Sequence, residues 1–183
     1  FFGQFYFGLK NNFKKIYQNS NFYEKRISKT FDNNFQYKPS PHLLSSIIKY
    51  QNKKYRIEDF AVESIWQNKM GAKDYEKLNN FFWFFSLDLK SSKESTQLVI
   101  KNWIKDNCKY NRNSWEFDIT SKRIIAWLSN HQLTYEDSDK DYRLMFDHMI
   151  QKQSNHLLSE IKSSNEFENK LIGCSAIILT GLA

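Results

Sequence analysis

Five glycines and two prolines in 183 residues leave few tight turns. That scarcity disfavours an all-β sandwich and favours helices. There are only two cysteines, Cys108 and Cys174, with no CxxC and no Cys/His metal spacing. Two buried thiols are expected ahead of a disulfide, and no metal or cofactor motif stands out. No stretch reaches the roughly 18 apolar residues of a membrane-crossing helix. The opening FFGQFYFGLK has no basic stretch before its apolar residues, so no secretory signal is visible, and it has no initiator methionine. The chain also stops inside an apolar helical run, Leu171 to Ala183. A fragment at both ends is therefore the expectation.

Aromatic side chains are plentiful, at 17% of residues, and hydrophobic residues make up 40% against 26% charged. This is globular composition, sufficient for one domain with a proper core. The formal net charge is +7, which points to an anionic large partner without saying which kind.

Residues 1–30 carry two short amphipathic patterns. Phe5, Leu9, Phe13 and Ile16-Tyr17 share one helical face; Phe22-Tyr23 and Ile27 follow Asn19-Ser20, with Lys14, Lys15, Lys25 and Arg26 solvated. Asp32 to Pro41 reads as a loop, and Leu43-Leu44 with Ile47-Ile48 as a short helix or an edge strand. Residues 55–66 fit neither period. Beyond them the spacing predicts helices near 74–89, 92–106, 120–130, 139–161 and 167–182. Asp74 can cap the first, Ser91-Ser92 opens the second, and Thr120 or Ser121 can cap the third. Stacked helical hairpins are the natural architecture for such spacing.

Trp103 to Asn130 joins two of these patterns through a polar, basic loop and holds three of the five tryptophans. Lys109, Arg112 and Lys122 make it cationic. Trp115-Glu116, then Ser121, Arg123 and Trp127, resembles the tryptophan–glutamate, arginine, tryptophan helix of the heparinase II/III-like proteins. Trp66, the leucine-and-aromatic helix Leu78 to Leu89, and Leu98 to Ile104 resemble the elements that precede it in that family. Asn169-Lys170-Leu171-Ile172-Gly173 resembles the family's asparagine–histidine–leucine helix, with Lys170 where histidine stands. The likeness spans about residues 60–183.

The resemblance implies an all-α chain forming the front of an incomplete (α/α) toroid. Residues 1–65 would be a less regular helical segment packed on the toroid, whose first part would be residues 66–183. It implies a polysaccharide lyase that cleaves uronate-containing acidic glycans by β-elimination, or a divergent relative that binds them, without cofactor or metal. In such chemistry donors neutralise the carboxylate while a base removes the α proton. Asn169 and Lys170 are the implied catalytic positions; Arg112, Trp115, Glu116 and Arg123 are the substrate-binding ones. Family members also suggest a periplasmic or cell-surface setting. Each position has a plainer role beside this one. Arg123 can be buried in an ion pair with Glu116, Trp115 can be core, and Lys170 can be a surface residue. His156, in Asn155-His156, reads as a helix-surface histidine. The rival function is a non-catalytic α-helical scaffold for protein or nucleic acid, although no nucleic-acid motif supports it.

Overall fold

A computed structural model describes residues 2–29, 56, 57, 66, 71–164 and 166–183. The readings over residues 30–55, 58–65 and 67–70, including the loop at 32–41 and the apolar pairs at 43–48, lie outside the described residues. Eight α-helices are seen among the described residues: α1 (Phe2–Gln18), α2 (Asn21–Ile27), α3 (Ala72–Asn79), α4 (Lys93–Asn107), α5 (Phe117–Ser129), α6 (His131–Thr134), α7 (Lys140–Glu160) and α8 (Phe167–Leu182). A 3-10 helix, Phe82–Ser86, follows α3. The described residues are all-α and contain no strand.

The helix starts follow local chemistry. Ser20 and Ser92 each accept a backbone N–H through the side-chain oxygen, from Tyr23 and Ser95, and Asp139 does so from Tyr142. Each satisfies a donor that the first helical turn leaves orphaned. Two expected caps move. Gly71, not Asp74, is the N-cap of α3. Helix α5 starts three residues earlier than Thr120, with Glu116 at the N-cap, so Thr120 and Ser121 lie buried inside it.

The predicted helix over 74–89 breaks in the middle. Phe81 adopts φ 58°, in the left-handed region, and the Asn80 side chain accepts the Phe82 N–H at 2.9 Å. A left-handed non-glycine residue costs about 1–2 kcal/mol. What offsets it is burial: the Phe81 ring is fully enclosed, edge-on to Phe84, Trp103 and Trp127 at 5.1, 6.1 and 5.2 Å. Burying an aromatic side chain is worth roughly 1.5–3 kcal/mol before the ring contacts are added.

Helix α5 is the centre of the molecule. It packs against α8, α7, α6, α3 and the 3-10 helix, and its residues 123–129 are all buried. Helix α8 can come close because Gly173 faces the Phe117 ring: an added Cβ would sit 2.3 Å from Cζ. Leu179 is buried and Ile172 and Ile177 are half-buried, while Phe167, Leu171, Ile178 and Leu182 are exposed. The buried face of α8 packs against α5 and α7. Neither cysteine is buried: Cys108 is exposed, Cys174 is half-buried, and both are free thiols.

Helix α1 docks by its polar side. Lys14 forms an ion pair with Glu160, and Gln18 donates to the same carboxylate at 2.8 Å. Tyr110 donates to the Gln18 side-chain oxygen at 3.1 Å.

Candidate functional site: a polar groove between α1, the 110–116 loop and α8

The loop after α4 is held in place from both sides. Asn111 accepts the Trp115 backbone N–H through its main-chain oxygen at 2.8 Å and the Asn113 N–H through its side chain at 3.0 Å. The Trp115 indole is fully buried and donates to the Asn107 carbonyl at 3.1 Å. It is therefore a core residue and offers no face on which a sugar can stack.

Arg123 lies beneath the loop, fully buried. Its donors reach Gln153 Oε1 at 2.7 Å, the carbonyls of Asn79 and Ser114 at 3.0 and 2.9 Å, and Thr120 Oγ1 at 3.2 Å. Its guanidinium stacks on Trp103 at 4.0 Å. None of these partners is Glu116, so the anticipated ion pair is replaced by a fan of neutral acceptors. Burial pushes the Arg123 pKa well down. A guanidinium starts so high that it stays charged at neutral pH, and the acceptors stand in for a counter-ion. Arg123 thus positions Ser114 and the loop without touching solvent.

His156 does the same from α7. It is 2% exposed rather than on the surface, with Nε2 2.7 Å from the Trp115 carbonyl and Nδ1 2.7 Å from the Tyr23 hydroxyl. A carbonyl only accepts, so Nε2 carries the proton and Nδ1 accepts from Tyr23. Burial holds the imidazole at about 4, hence neutral. Burial likewise keeps the Tyr23 phenol raised above its ordinary value.

The pinned loop forms one wall of a groove of about 640 Å³. Arg112, Asn113 and Glu116 line this wall, and Asn11, Lys14, Lys15 and Gln18 of α1 line the opposite one. Glu160, Ser163, Ser164, Glu166 and Asn169 close the end where α7 passes to α8. Asn169, the third residue of α8, donates to Glu166 Oε2 at 2.7 Å. Four sequence-predicted residues therefore line one cavity: Arg112, Trp115, Glu116 and Asn169, with Trp115 as buried floor. Lys170 and Arg123 are not among the lining residues.

Charge in the groove is mixed. Lys14 is paired with Glu160, and Asp118 with Lys122 at 2.5 Å. Arg112 and Lys15 form no ion pair among the described residues. Glu116 has its carboxyl raised by burial first and by Glu76 and Asp118 next. The Tyr110 phenol is pushed up to about 12, mainly by burial. No group of three or more His, Cys, Asp or Glu among the described residues is arranged to hold a metal.

Sequence reasoning missed Lys14, Lys15, Gln18, Tyr110 and Glu160. The signal available was the polar face of α1, with Lys14, Lys15 and Gln18 on it. No family model matches the chain, and neither a curated protein nor a solved structure shows a significant similarity to it.

Proposed function

We propose that this chain is an α-helical glycan-binding unit whose groove holds an acidic, uronate-containing polysaccharide. One observation carries the reading. Arg112 and Glu116 on the loop and Asn169 on α8, singled out in the sequence by the likeness to heparinase II/III-like lyases, line the same cavity. In this reading the helices belong to the front of an (α/α) toroid.

The chemistry of the lining suits such a ligand. Arg112 and Lys15 are cations available to a carboxylate, and arginine matches carboxylate geometry with two donors. Asn11, Asn113, Ser163 and Ser164 can exchange hydrogen bonds with hydroxyl groups. The carboxylates of Glu116 and Glu166 accept from hydroxyls, which a polyphosphate backbone offers sparingly; this favours glycan over nucleic acid.

Binding is favoured over turnover by the described residues. β-Elimination needs a base poised near working pH. Tyr110 at about 12 and His156 at about 4, with both ring nitrogens already bonded, do not supply one. Asn169 takes the role of a donor to the ligand carboxylate after release from Glu166.

Calorimetric titration with an oligouronate, a neutral oligosaccharide of equal length and a short DNA duplex tests this. The oligouronate should bind, and Arg112→Ala should weaken it by roughly 1.5–3 kcal/mol, tenfold or more. Tight binding of the duplex with none of the oligouronate would overturn the proposal in favour of a nucleic-acid scaffold. Unsaturated uronate appearing during the titration would restore the lyase reading.

A further inference from the structure

Helix α1 is turned inside out. Its polar side, through Lys14 and Gln18, faces the body and bonds Glu160. Phe13 and Ile16 on the other side are 68% and 70% exposed. Amphipathic helices of folded domains normally bury the apolar stripe against the core. The stripe continues onto α2: Tyr17, one turn after Phe13, meets the Phe22 ring at 6.3 Å, and Phe22 is 70% exposed. Phe13, Ile16 and Phe22 form a solvent-facing apolar patch on two consecutive helices, with the half-buried Tyr17 between them packed on the core.

The surroundings of that patch are cationic. The chain carries Lys10, Lys14 and Lys15 and no acidic residue before Glu24. Lys25 and Arg26 follow, with Arg26 donating to the Tyr17 hydroxyl at 3.0 Å. Beside the stripe lies a second concavity of about 480 Å³, bordered by Phe13 and Tyr17 and carrying Lys10, Lys14 and Lys162. Its one carboxylate, Glu160, is already paired with Lys14. An apolar stripe that adjoins a cationic niche has two complementary halves to offer, one for acyl chains and one for a phosphate.

We propose that the α1–α2 face docks on a membrane surface rich in anionic phospholipid. Phe13, Ile16 and Phe22 enter the boundary between headgroups and acyl chains, and Lys10 and Lys162 receive a lipid phosphate. Helices with an apolar face and flanking basic residues bind membranes in this way, lying in the interface plane. The attachment is peripheral, since no helix of the described residues is long and apolar enough to cross a bilayer. A second copy of the chain is a poorer occupant, because it brings the same positive charges to its own apolar patch and like charges repel. The niche borders the groove, since Asn11, Lys14, Glu160 and Ser163 line both.

Flotation of the full chain with vesicles tests the proposal, comparing phosphatidylglycerol mixed with phosphatidylcholine against phosphatidylcholine alone. The protein should float with the mixed vesicles only, and added salt should weaken it. Lys10→Ala and Lys25→Ala should each lower partitioning about fivefold, the factor for one basic residue near an anionic surface. The triple variant Phe13→Ser/Ile16→Ser/Phe22→Ser should lower it by about tenfold or more. Its circular dichroism should stay unchanged, since the three side chains are outside the core. Three results would overturn the proposal: no flotation with either vesicle, flotation that the triple variant keeps, or a lipid-free dimer that the triple variant dissolves. The last would assign the patch to self-association.

Discussion

Acidification should loosen the loop wall of the groove through one residue, His156. The ring is enclosed and its folded pKa is near 4, against an ordinary 6.5. The folded value lies below the unfolded one, so the unfolded chain takes up the proton first. Stability from this group is complete above about pH 6.5 and is lost progressively as the pH falls toward 4. A displacement of about 2.5 units at 1.36 kcal/mol each makes the loss roughly 3 kcal/mol. That is a large share of a domain stability of about 5–15 kcal/mol. Protonation also places a donor on Nδ1, where the Tyr23 hydroxyl now donates at 2.7 Å, so Tyr23 must rotate its proton away. Urea unfolding of wild type and His156→Gln, followed by the fluorescence of the buried tryptophans, isolates this contribution from that of the carboxylates. Near pH 8 the variant should be less stable by roughly 1–3 kcal/mol, the cost of disturbing buried hydrogen bonds. By pH 4 that deficit should have shrunk by about 3 kcal/mol. A deficit that stays constant from pH 8 to pH 4 would refute the reasoning and return His156 to the surface.

Gly173→Ala drives a Cβ into the Phe117 ring, which must swing toward the groove. Overpacking costs about 1–3 kcal/mol and helix propensity returns about 1 kcal/mol, so a net loss is expected in chemical denaturation, and a gain would contradict the close α5–α8 approach. Arg123→Met leaves Gln153 Oε1 and the Asn79 and Ser114 carbonyls buried without their donor. At about 1–3 kcal/mol for each orphaned group the urea midpoint should fall sharply, and an unchanged midpoint would show that the fan of bonds holds nothing. Asp147 has its carboxyl raised to about 6 by burial, with Tyr135 donating to it at 3.2 Å. A raised folded pKa means stability present below the unfolded value and lost as the pH rises through 6. Asp147→Asn should therefore gain on wild type in thermal unfolding as the pH goes from 4 to 8, whereas a gap independent of pH would exclude the buried charge.

The helices that could be read closely are those with a chemical start signal. Ser92 and Asp139 cap α4 and α7 with their side chains, and polar residues at 163–164 separate α7 from α8. The aromatic run at 81–85 carried no such information, because a segment apolar on every side has no period to reveal its conformation. Its break depends on an Asn80 side-chain bond and on a pocket of tryptophans contributed from elsewhere in the chain. The site was legible where it is local. Arg112, Glu116 and Asn169 stand at a loop and at a helix start, positions that sequence marks directly. Its other wall was not, because Lys14 and Gln18 face inward through Glu160 and Tyr110, far along the chain. The burial of His156 and the partners of Arg123 were hidden for the same reason: Tyr23 and Asn79, which bond them, lie far away in sequence.

The groove can be interrogated most directly by following backbone amide resonances while an oligouronate is added. Lys15, Arg112, Asn113, Glu116 and Asn169 should shift together along one saturation curve, and the interior of α4 and the exposed face of α8 should stay still. Shifts confined to other surfaces, or none in these five residues at saturating ligand, would contradict the claim that the two walls form one glycan site.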